Sequence, residues 1–185
     1  MDINRQAAWE LFQEFNRTAS LNHHALAVEA VMRHFALIFK EDPEEWGIIG
    51  LLHDLDYEMY PDEHCQRTKA IMEERSWPES YIRAIMSHGW GMRTEVKPVS
   101  NAEKVLYTID ELTGLIYATA LMRPSKISDL TIKSVKKKWK DTRFAAGVNR
   151  QIILDGAELL GWELNDIIKK TIASMQTVAA EIELA

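Results

Sequence analysis

Leu106-Tyr107-Thr108-Ile109-Asp110-Glu111-Leu112-Thr113-Gly114 lies inside the most apolar window of the chain, Val105 to Met122. Its apolar residues recur every three or four positions, which places them on one face of a helix. Two acids at the centre of such a window would be costly in lipid but are tolerated in a protein core that supplies partners. The window is read as a core helix. Asp110 on that helix needs positive charge opposite it, because burying an unpaired carboxylate is strongly unfavourable. A salt bridge or a metal ion would each meet that need.

The same helical period runs through the rest of the chain, and no stretch of four or more residues alternates as a strand should. The expected fold is all-α, with helices near 3–17, 21–40, 43–54, 62–75, 79–88, 100–121, 128–139, 149–160 and 164–183. Pro43, Pro61, Pro78, Gly89, Gly91, Pro98, Pro124 and Gly161 separate them. Repeats, low-complexity tracts and linkers are absent. At 185 residues the chain fits one domain, residues 1–185. Within it a catalytic bundle is expected over about 1–122 and a helical cover over about 123–185.

One cysteine, Cys65, rules out an internal disulfide framework and suits a reducing, cytoplasmic setting. Cys65 is read as a small packed residue. The first helix, with Trp9, Phe12 and Phe15 on one stripe, has the form of an amphipathic helix and not of a signal peptide. Net charge is −6, but residues 123–150 alone carry +7 and the remainder −13. A basic island in an acidic surround suits a small anion better than a long nucleic acid, which the surround would repel. No membrane or nucleic-acid partner is expected. The Lys136 to Lys138 triplet is equally well explained as a solvated helix face.

Two histidine positions add to Asp110. On the second helix His24 shares a stripe with Val28, Val31, Phe35 and Ile38 and so faces inward. His23, about 100° round the helix, runs with Ala27, Ala30 and His34, and periodicity alone does not choose between the two. His53-Asp54 ends the apolar run Ile48-Ile49-Gly50-Leu51-Leu52. Neighbouring side chains at a helix end can converge on one ion, imidazole as a borderline ligand and carboxylate as a neutralising bridge. His64 follows Pro61, and His88 precedes Gly89-Trp90-Gly91.

The order His24, His53-Asp54, His64, His88, Asp110 resembles the metal-binding signature of the HD-domain superfamily, and His24-Ala25-Leu26-Ala27-Val28-Glu29 selects His24 over His23 on that resemblance. The later segments Lys133-Ser134-Val135-Lys136-Lys137 and Phe144-Ala145-Ala146-Gly147-Val148-Asn149-Arg150 are similar to small prokaryotic HD-domain proteins described as predicted hydrolases. The resemblance implies an HD-type helical bundle with additional C-terminal helices. It also implies one or two divalent ions: manganese, iron, cobalt, nickel or magnesium. In the dinuclear subset Asp54 would bridge, His24, His53 and Asp110 would complete one ion, and His64 and His88 would hold the other. The activity implied is a phosphohydrolase or phosphodiesterase using activated water on a small phosphorylated anion. Asp54, Asp56 and Glu58 are the catalytic candidates, since an acid beside the ligands can place water or donate a proton. Arg123, Lys126, Arg143 and Arg150 are the candidates for binding substrate phosphoryl oxygens. A mixed-valent di-iron oxygenase shares the six-ligand order, and a nucleotide-binding module with a structural metal is the third reading.

Overall fold

The computed structural model describes residues 3–185, and among them the fold is all-α. The helices are α1 (Arg5–Phe15), α2 (Ala19–Phe39), α3 (Pro43–Leu52), α4 (Gln66–Glu74), α5 (Glu79–Ser87), α6 (Asn101–Leu121), α7 (Ile132–Trp139), α8 (Arg150–Leu160) and α9 (Leu164–Thr177). No helix among the described residues is long and apolar enough to cross a membrane.

Local chemistry sets most of the boundaries. Asn4, Asp42, Thr131 and Asn149 each accept a backbone N–H at the first turn of the helix they precede. Ser100 and Glu103 form a reciprocal capping box that starts α6. Lys40 and Gly161 close α2 and α8 in the left-handed conformation.

Three boundaries differ from the sequence reading by four residues or more, and one is the start of α7, expected at 128 and found at Ile132. The helix expected from residue 62 begins only at Gln66: Pro61–Glu63 form one 3-10 turn, and Cys65 sits at φ 70°, where no α-helix continues. The last helix stops at Thr177 and not at 183. Past that point the chain turns to bury Ile182 and Leu184, and the Glu183 carbonyl accepts from Lys126 Nζ at 3.0 Å.

The core is a layer of α2, α3 and α6, with α5 against α3 and α6, and α8 and α9 over the opposite side of α6 and α2. Val28, Val31, Phe35, Leu52, Leu106, Ile109 and Ile116 are wholly buried there. Close contact between helices depends on two glycines. A Cβ at Gly50 would lie 2.9 Å from Met32 Cγ of α2, and one at Gly156 would run into Thr108 of α6. Buried Glu29 of α2 is held by Arg5 at 2.7 Å and Arg33 at 2.9 Å, which fixes α1 and α2 around the end of α3. The long helices carrying His24 and Asp110 pack side by side, and the C-terminus of α3 brings His53 to both.

Candidate metal centre

His24, His53, Asp54, His64, His88 and Asp110, drawn from five separate segments, meet at one place. Asp54 divides them into two donor sets. Its Oδ2 lies 3.7 Å from His24 Nε2 and 3.4 Å from His53 Nε2, and both imidazoles are also near Asp110 Oδ1, at 3.0 and 3.4 Å. Its Oδ1 lies 3.5 Å from His64 Nε2 and 3.7 Å from His88 Nε2. His23, the alternative on α2, turns away and meets Tyr117 Oη at 3.1 Å.

The tautomers explain why such a cluster suits cations. His53 Nδ1 sits 2.7 Å from the Gly50 carbonyl and His88 Nδ1 2.6 Å from the Ile85 carbonyl. A carbonyl only accepts, so each Nδ1 carries the proton and each neutral ring points a lone pair from Nε2 into the centre. His64 Nδ1 is 2.8 Å from Asp56 Oδ1, and its Nε2 faces His88 Nε2 at 3.1 Å. His24 Nε2 faces His53 Nε2 at 3.1 Å. Lone pairs and carboxylate oxygens thus confront one another with no hydrogen between neutral partners, an arrangement that requires a proton or a metal ion. Nitrogen and oxygen ligands about 2.0–2.2 Å from one ion stand roughly 2.9–3.5 Å apart, close to the spacings seen in both sets. The buried His and Asp groups could hold a metal ion.

Electrostatics state the same need. Burial disfavours the His53 imidazolium, yet Asp54 and Asp110 outweigh it and hold the ring well above the usual histidine pKa. Burial raises Asp54 and Asp110, but His53 and His24 more than reverse this and hold both carboxyls below their ordinary values. Burial pulls His88 down, aided by the field of His53. Asp54 and Asp110 thus stay ionised and draw positive charge onto the His53 imidazole between them. Cys65 Sγ lies 3.9 Å from His88 Nε2, and His64, Cys65 and His88 form a second group of potential ligands. A Cβ at Gly89 would come within 2.8 Å of that sulfur.

The other two catalytic candidates are tied into the structure around the ligands. Asp56 is wholly buried: Oδ1 receives the His64 ring N–H and Oδ2 receives the Thr68 N–H at 2.8 Å. It orients a ligand and caps α4 and does not face open space. Glu58 Oε2 accepts the N–H groups of Arg17 and Thr18 at 2.7 and 2.9 Å, where α2 begins without a side-chain cap of its own. Buried Asn16 reinforces this join by donating to the Leu55 carbonyl at 2.7 Å. The loop after His53-Asp54 is therefore fastened to the start of the helix that carries His24.

Above the cluster opens a cavity of about 360 Å³, lined by five of the six candidate ligands together with Tyr57, Gly89, Met92, Arg93, Glu111, Gly114, Gly147 and Val148. The basic residues expected at its mouth are elsewhere. Arg123 pairs with Asp129 at 2.7 Å, and Lys126 is engaged by the C-terminal turn. Arg150 donates to the carbonyls of Asp141, Phe144 and Val148 and so braces the segment between α7 and α8. Arg143 does not line the cavity. Gly114 admits no helix: only Val148 approaches it, at an ordinary 3.7 Å from where a Cβ would stand. Burial and the field of Asp110 push Glu111 up to about 7, although the Asn149 N–H opposes them. Tyr57, Arg93 and Glu111 were missed as cavity residues. Their nearness to ligands in the chain, one to five positions away, was the available signal.

No family model matches the chain, and neither a curated protein nor a solved structure matches it.

Proposed function

We propose that this chain is an HD-type metal-dependent phosphohydrolase acting on a small phosphorylated anion. The observation that carries the reading is Asp54, which offers one carboxylate oxygen to each of two facing donor sets. A shared carboxylate is how two-ion hydrolytic centres hold their ions a few ångströms apart. His24, His53 and Asp110 would complete one ion and His64 and His88 the other. When bound, such ions polarise a phosphoryl oxygen and bring the pKa of water toward neutrality. The chain itself contributes fixed imidazole tautomers, a carboxylate-rich floor and a cavity at the small end of the range for ligand sites. A cavity of that size favours a compact ester over a polymer.

The test is metal analysis of anaerobically purified protein followed by a panel of phosphomonoesters and phosphodiesters. The expected result is metal-dependent phosphate release by wild type and at least a 100-fold loss in Asp54→Ala. Equal behaviour of the two proteins on every substrate would overturn the reading. Iron-dependent oxygen consumption without phosphate release would replace it with the di-iron oxygenase reading.

A further inference from the structure

The cavity has a buried end and an exposed end, and the only fixed cationic side chain among its described lining residues stands at the exposed one. His64 and His88 at the floor are at most 9% exposed, whereas Tyr57 and Met92 at the rim are 45% and 52% exposed. Arg93 stands beside Met92 on the turn that follows ligand His88.

That turn is built to hold its side chains still. The Gly89 carbonyl accepts the N–H groups of Met92, Arg93 and Thr94 at 3.1, 2.8 and 3.0 Å. Thr94 Oγ1 donates to the Met86 carbonyl at 2.8 Å, and the Arg93 carbonyl accepts from Gln66 at 3.3 Å. Gly91, at φ 76°, supplies the left-handed step that closes the loop. The backbone of Arg93 is thus anchored on three sides. Its guanidinium, by contrast, has neither a carboxylate nor a carbonyl partner among the described residues. Arg5, Arg33, Arg75, Arg83 and Arg123 all have a carboxylate partner.

We infer that Arg93 is the specificity-determining residue of this cavity: it binds a second anionic group, carboxylate or phosphate, on the body of the substrate. The inference rests on the phosphohydrolase reading for the chemistry at the floor. The substrate class is then a compact phosphoester bearing a separate anion, with an apolar segment between the two that lies against Met92 and Tyr57. Guanidinium is suited to this role because its planar donors match a carboxylate or phosphate edge.

Binding, without turnover, tests it. Benzylphosphonate and 4-carboxybenzylphosphonate are titrated calorimetrically into manganese-loaded wild type, Arg93→Ala and Arg93→Lys. A charge-assisted pair should make wild type prefer the carboxylated probe by about tenfold to a hundredfold. Arg93→Ala should erase that preference while leaving affinity for the plain phosphonate and manganese stoichiometry unchanged, and Arg93→Lys should restore part of it. Melting temperatures should match, since the side chain makes no described bond. Wild type that fails to discriminate, an Arg93→Ala protein that still does, or failure of both probes to bind would overturn the inference. Absence of phosphoester turnover alongside Arg93-dependent discrimination would instead remove the phosphohydrolase reading and leave Arg93 as the anion anchor.

Discussion

The two donor sets flanking Asp54 are built by different means. In the first, His24 and Asp110 stand inside two 21-residue helices and His53 caps a third, its ring N–H held by that helix's own Gly50 carbonyl. In the second, His64 lies on a turn ahead of a helix whose cap, Cys65, is at positive φ, and His88 closes a 9-residue helix. The His64 tautomer is set by Asp56, a side chain, not by helical backbone. The first set inherits its geometry from the packed core. In the second, the His88 ring is also held by a helix carbonyl, that of Ile85, but the His64 ring depends on one buried side-chain hydrogen bond, so the same change of charge should affect the two sets unequally.

Asp110→Asn and Asp56→Asn give the sharpest form of that comparison. Asp110→Asn should remove one ion and abolish turnover, because it replaces a charged ligand. Asp56→Asn leaves every ligand in place but weakens control of the His64 ring, and loss of such an orienting partner typically costs about 10- to 100-fold in metal affinity. Two-step metal titration should show only the second ion weakened. Equal weakening of both ions would mean that the sets are not independently built. Asp56→Asn should also lower stability by about 1–3 kcal/mol, since the buried Thr68 N–H loses a charged acceptor.

Glu111 offers a smaller, pH-resolved effect. Its folded pKa of about 7 exceeds the ordinary 4.5, so the folded protein binds the extra proton between those values. Stability from this group is therefore lost as pH rises from about 4.5 to 7 and is flat above that. In chelator-treated protein, Glu111→Gln should raise stability at pH 8 by about 1–2 kcal/mol, a figure reduced for the residue's partial exposure, and change little at pH 4. Thermal melts at the two pH values measure it, and an equal shift at both would show that burial of Glu111 is not the cause.

The smallest effect belongs to Arg123. Its exposed pair with Asp129 is screened by solvent and should contribute little to stability, and Arg123→Ala should leave phosphoester KM unchanged. A tenfold rise in KM would bring the C-terminal basic segment back to the mouth of the cavity.

The convergence of the candidate ligands was legible because a metal-binding cluster would demand particular atoms. His24, His53, Asp54, His64, His88 and Asp110 were each marked by an imidazole or carboxylate at a helix end or on an apolar face, positions where such groups need a reason to be. The cavity wall was less legible. Arg93, Tyr57 and Met92 are ordinary loop residues whose significance comes only from facing the ligands. Arg123, Lys126, Arg143 and Arg150 looked like an anion site because charge counted along a chain ignores which partners each cation finds.

Periodicity and breaker residues determined the all-α class, the number of helices and the inward stripe of α2, because those follow from local backbone geometry. Tertiary structure alone decided that the Asp54 oxygens face two ways, that Asp56 serves His64 and Glu58 serves α2, and that Arg93, and none of Arg123, Lys126, Arg143 and Arg150, lines the cavity. These depend on distances between residues far apart in the chain, fixed by how α3 packs on α2 at Gly50 and α8 on α6 at Gly156.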